Sequence, residues 1–116
     1  MLSTMRSDAL RGAAPLSGVP DVAKWAKARA VIIPFDPSDA SEFAIRSPMA
    51  WPGSFRCPTR LYFGGEQSFF AASTRELARR ASERGRDVVA VETPGDHQTH
   101  VDASIRKSIA FFASLR

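Results

Sequence analysis

Val88-Val89-Ala90-Val91-Glu92-Thr93-Pro94-Gly95-Asp96-His97 is the stretch on which the reading of this chain turns. Its short apolar run, rich in β-branched side chains, suits a buried strand, and Pro94-Gly95 breaks it. His97 follows directly on the loop, and a segment of helical period carries the chain to its end. Strand, Pro-Gly, histidine and helix in that order set His97 at the C-terminal edge of a strand. Open α/β sheets bind their ligands at that edge.

Upstream, residues 59–63 (Thr-Arg-Leu-Tyr-Phe) form a second strand, stopped by Gly64-Gly65. Residues 69–85 carry Phe70, Thr74, Leu77 and Ala81 at helical steps, with Gly85 as the stop and the arginines on the other face. Downstream, Val101, Ile105, Ile109 and Phe112 mark the buried face expected of the terminal helix, with Leu115 at its end. Strand, helix, strand, helix with short links is a right-handed βαβ arrangement around a parallel sheet.

The N-terminal part is less regular. Residues 1–10 read as the tail of a helix, with Leu2, Met5 and Ala9 on one face. Residues 11–17 suit another strand, weakened by Pro15. Pro20 opens a helical stretch over residues 21–27, with Val22 and Trp25 as its apolar pair. Pro34 argues against a central strand in residues 30–35. Asp36-Pro37-Ser38-Asp39 is a turn, and residues 41–45 form one or two helical turns. We read residues 30–56 as an excursion that covers the sheet, within a single α/β domain of about three parallel strands and flanking helices.

At 116 residues the chain is the size of one small domain or part of a larger one. With 44% hydrophobic and 24% charged residues it has the composition of a globular protein. The net charge of +4 includes Arg75, Arg79, Arg80, Arg84 and Arg86, which share one solvated helix face. No aromatic residues interleave with them to make a nucleic-acid stacking platform. The single cysteine, Cys57, excludes an intramolecular disulfide and reads as a small hydrophobe before a strand. No apolar run approaches the roughly 20 residues of a membrane span, and the N-terminus lacks the pattern of a secretory signal. A cytoplasmic protein that binds neither nucleic acid nor membrane is expected.

Several phrases, in order, resemble the C-terminal half of an α/β-hydrolase of the dienelactone-hydrolase or prolyl-oligopeptidase-like kind. They are Leu16-Ser17-Gly18-Val19-Pro20-Asp21, Arg46-Ser47-Pro48-Met49-Ala50, Cys57-Pro58-Thr59, Thr93-Pro94-Gly95-Asp96-His97 and Ile109-Ala110-Phe111-Phe112. The resemblance implies a partial α/β-hydrolase domain over residues 1–116. It further implies descent from a serine hydrolase of ester or peptide bonds, with His97 as general base of a Ser-His-acid triad. The family's Gly-x-Ser-x-Gly elbow does not occur: Ser17-Gly18 and Gly53-Ser54 lack the flanking glycines. The family's oxyanion-hole loop is absent too. The chain is therefore expected to be truncated after the nucleophile elbow and inactive alone.

The family's acid follows the seventh strand in a phrase like Gly-x-x-Asp. Counting from Gly64 puts Gln67 there, a residue that cannot carry the negative charge. Glu66, one residue earlier, is the first choice for the acid, ahead of Asp102 in the terminal helix's first turn. Asp96 is too close to His97 in sequence. His100 reads as a surface residue at a helix start. His97 and His100 beside Asp96 and Asp102 lack a spaced third ligand, so no metal is expected, and no cofactor. Trp51, Phe69 and Phe70 are expected to line part of the pocket. A small-molecule ester or peptide would be the substrate of the intact parent. The competing expectation is a non-catalytic module that forms a homodimer or complements an N-terminal half through the open edge of the strand at residues 11–17.

Overall fold

The computed structural model describes residues 9–115. The helix expected over residues 1–10 lies outside the described residues except for Ala9 and Leu10. Helix α1 spans Val22–Arg29 and is capped by Asp21, whose carboxylate accepts the Lys24 amide at 3.0 Å. Helix α2 spans Ala40–Ala44, capped in the same way by Asp39. Two short 3₁₀ turns, Pro48–Ala50 and Pro52–Ser54, lead to strand β1, Thr59–Gly64. Helix α3 (Ser68–Glu83), strand β2 (Val88–Thr93) and helix α4 (Val101–Ser114) complete the chain.

The α/β character holds, but the sheet is smaller than expected. Strands β1 and β2 pair in parallel, Thr59 opposite Val88 through Gly64 opposite Thr93, and form a two-stranded sheet rather than one of about three strands. Residues 13–16 lie along the other edge of β1 and touch it only through isolated parallel bridges, Ala13 to Thr59 and Leu16 to Tyr62. Pro15 explains the break. The Ala13 amide donates to Pro58 O at 2.9 Å and the Ser17 amide to Tyr62 O at 2.8 Å, so the residue between them should donate to β1 as well. Pro15 has no N–H, and the ladder loses its middle bond.

One face of the sheet packs on α3. Leu61 and Val88 meet Leu77, Ala78 and Ala81, with Phe55 closing the cluster and Met49 and Ala90 against it. Phe70, Thr74, Leu77 and Ala81 are all buried, as the helical period required. The arginine face is solvated and tied by ion pairs, Arg79 and Arg80 to Glu76 and Arg75 to Glu92.

Helix α4 corrects the sequence reading. Val101, Ile105, Ile109 and Phe112 are exposed, at 36%, 45%, 61% and 44%. The helix instead turns Ser104 and Ser108 inward, with Phe111 half-buried beside them. The sheet face it meets is polar and tight. Thr93 Oγ1 lies 2.8 Å from Ser104 Oγ, and the Arg60 guanidinium sits 4.8 Å over the Phe111 ring. At Gly12 a Cβ would collide with Leu115, so the last turn closes onto bare backbone. Among the described residues no helix is long and apolar enough to cross a membrane.

Candidate functional site

Because residues 13–16, β1 and β2 run parallel, the loops that follow them emerge at one edge. Ser17 opens the first, Gln67 closes the second, and His97 and His100 belong to the third. Backbone contacts lock the β1 and β2 loops together: the Gly65 amide donates to Thr93 O at 2.8 Å and the Glu66 amide to Gly95 O at 3.1 Å. A Cβ at Gly64 would run into the Gly95 and Asp96 carbonyls. Gly95 itself takes φ 112°, a conformation that an L side chain strains to adopt.

Gln67 is the centre of the site, buried at 7% exposure. Its Oε1 accepts the Gly64 amide at 2.7 Å and lies 3.0 Å from Ser17 Oγ. A backbone N–H can only donate, so the atom facing it is the side-chain oxygen, and this fixes the amide's orientation. The Nε2 group then faces His97 Nδ1 at 2.8 Å and must donate to it. A neutral imidazole whose Nδ1 accepts carries its proton on Nε2. The His97 ring stacks on Phe70, with centroids 5.8 Å apart at 21°.

The acid expected at Glu66 is not in place. Glu66 is exposed, and among the described residues Gln67 is the partner of His97. The side chain that faces His97 Nδ1 is that of Gln67, the residue reached by the count from Gly64, and it is an amide. Asp102 points into solvent and pairs with Arg106 at 3.0 Å. Asp96 Oδ1 accepts the Gln98 and Thr99 amides at 2.8 and 2.9 Å and the Thr99 hydroxyl at 3.0 Å. These bonds, the Thr99 amide first, hold its carboxyl below the usual carboxylate range.

His100, read from sequence as a surface residue, is fully buried at 0% exposure. Its Nε2 lies 2.7 Å from Ser17 Oγ. Its Nδ1 lies 2.8 Å from Ser104 Oγ and 3.2 Å from Thr93 Oγ1. Burial pushes its pKa below the ordinary 6.5, helped by His97 and opposed by Asp96. A line of polar groups therefore runs from Thr93 through Ser104, His100, Ser17 and Gln67 to His97. The signal for it in the sequence was the spacing of His100, Ser104 and Ser108 on one helix face, overshadowed by the apolar stripe beside it.

A cleft of about 620 Å³ opens over His97 and Gln67, walled by Trp25, Phe69 and Phe70 with Arg29 and Glu66 at its margins. Phe69 and Phe70 line it as expected. Trp51 does not, since its indole N–H donates to Ala44 O at 2.8 Å elsewhere on the surface. Among the described residues no group of three or more His, Cys, Asp or Glu side chains is placed to hold a metal ion. No family model, curated protein or solved structure matches the chain.

Proposed function

We propose that the chain derives from the C-terminal half of an α/β serine hydrolase and that His97 occupies the position of the former base without serving as one. The observation that carries this reading is the hydrogen bond from Gln67 Nε2 to His97 Nδ1. A hydrolase histidine needs its proton on Nδ1, held by a carboxylate, so that Nε2 offers a lone pair to the attacking hydroxyl. Gln67 donates where that carboxylate would accept. It leaves Nε2 protonated, and among the described residues no carboxylate accepts a hydrogen bond from the ring. An ester or peptide would be the substrate of the intact parent, and the chain as given works in the cytoplasm without cofactor, nucleic acid or membrane.

Steady-state hydrolysis of a short-chain nitrophenyl ester tests the proposal. The expected rate is that of the His97→Ala variant. Sustained turnover that disappears in His97→Ala overturns it.

A second reading, a non-catalytic module that pairs with another chain, rests on a separate observation. Ala13, Pro15 and Ser17 direct their backbone groups at β1, which turns those of Ala14 and Leu16 toward the open edge. An apolar groove of about 570 Å³ lies beside that edge, with Phe55, Leu61 and Leu77 in its lining. Homodimerisation or complementation by an N-terminal half would cover both. Sedimentation at high concentration should then show a dimer, and a monodisperse monomer would count against the homodimer.

A further inference from the structure

We propose that Ser17 is a reactive hydroxyl with His100 as its base, able to accept an acyl or phosphonyl group from an activated ester independently of His97. Ser17 follows the strand-like segment 13–16 with φ 49°, a left-handed conformation that strains a non-glycine residue. Such strain gathers where a side chain has to be presented in a set direction. The direction here is toward imidazole, with Oγ 2.7 Å from His100 Nε2. The following amide, that of Gly18, has no hydrogen-bond partner among the described residues.

Whether His100 can take the proton depends on what stands behind it, and here it differs from His97. Ser17, His100, Ser104 and Thr93 each have one proton to give. Between them run six contacts, ending on Gln67 Oε1 at 3.0 Å and on Phe63 O at 3.2 Å, both pure acceptors. With the His100 proton on Nδ1, His100 donates to Ser104, Ser104 to Thr93 and Thr93 to Phe63 O. The Ser17 hydroxyl then points at the free Nε2 lone pair. All four protons are used, and the Ser17 contact with Gln67 and the longer His100 contact with Thr93 are left without one. Gln67 forbids this tautomer at His97 because an amide nitrogen only donates. The hydroxyls behind His100 accept as readily as they donate and permit it. Burial keeps the ring neutral at physiological pH, so its lone pair is available.

In the step, Ser17 Oγ attacks the carbonyl carbon or phosphorus and its proton passes to His100 Nε2. The new Oγ–C or Oγ–P bond forms as the bond to the leaving group breaks, and the leaving group departs with that proton. A phosphonyl ester on Ser17 Oγ has only the serine oxygen and a poor alkoxide as leaving groups, so the expected product with a fluorophosphonate is a stable stoichiometric adduct.

Intact-mass and peptide mapping after incubation with a fluorophosphonate test this, with P–F as the bond that breaks. Expected are one adduct on Ser17, none on Ser17→Ala, unchanged labelling of His97→Ala, and labelling slowed at least tenfold in His100→Gln. If His100→Gln fails to fold, Ser104→Ala decides, with slowing of severalfold expected. In the wild-type protein the labelling rate should hold from pH 8 to 7 and fall only below the ordinary imidazole range. Absence of a Ser17 adduct, labelling that needs His97, or full-rate labelling in the folded His100 or Ser104 variant overturns the proposal. The outcome is independent of ester turnover through His97.

Discussion

The substitution Gln67→Glu isolates the tautomer on which the reading of His97 depends. Glutamate has the same shape and keeps an oxygen for the Gly64 amide, now 2.7 Å from Gln67 Oε1. At the other position it places an acceptor 2.8 Å from His97 Nδ1, where a donor stood. The substitution removes a neutral hydrogen bond of about 1 kcal/mol that favoured a proton on Nε2. It adds a charge-assisted bond of about 1.5–3 kcal/mol that favours a proton on Nδ1. The two effects act in the same direction and together shift the balance by about 2.5–4 kcal/mol, a change of roughly 60- to 900-fold in the tautomer ratio. Ring ¹⁵N shifts of His97 at pH 8 read this directly. In the wild-type protein Nε2 should carry the proton, and in Gln67→Glu it should be the lone-pair nitrogen. A wild-type His97 protonated on Nδ1 would refute the reasoning, because Gln67 would then have to face it with its oxygen and leave Gly64 against an NH₂ group.

Replacing Leu77, 2% exposed in the α3 core, by alanine should cost about 2–5 kcal/mol in urea unfolding. Ile105→Glu and Ile109→Glu, by contrast, should each change stability by less than about 0.5 kcal/mol in the same assay, since both side chains are exposed. A large loss there would mean that α4 is rotated from the position described. His100 makes stability depend on pH. Its folded pKa lies below the ordinary 6.5, so the unfolded chain binds more protons below that pH. Its contribution is fully present above about pH 6.5 and is lost as pH falls toward the lowered folded value. His100→Gln should flatten that part of the profile. Ala30, at φ 48° after α1, should gain up to about 1 kcal/mol on replacement by glycine, measured by thermal unfolding.

The elements were legible because their signals are local. Phe70, Thr74, Leu77 and Ala81 repeat at helical steps, the run from Val88 breaks at Pro94-Gly95, and Gly85 stops α3, where it takes φ 71°. The position of His97 at a strand's C-terminal edge followed from the same reasoning. Counting from Gly64 pointed to Gln67, but residue type alone then favoured Glu66, because a carboxylate suits a triad and an amide does not. Exposure was misjudged in α4, where hydropathy named Val101, Ile105, Ile109 and Phe112 as the buried stripe.

Covalent chemistry and periodicity in the sequence by themselves determined the order of strands and helices, the parallel βαβ connection and the loop that carries His97. Only the tertiary structure decided that α4 turns Ser104 inward, that His100 is buried and that Ser17 and Gln67 meet two histidines. A helix with an apolar stripe has no rotation of its own; the rotation is set by what it packs against. Here that surface offers Thr93 Oγ1 and the bare backbone of Gly12, and the buried imidazole of His100 finds hydroxyl partners only when Ser104 faces in. Those contacts satisfy buried polar groups, each of which would cost about 1–3 kcal/mol if left unpaired.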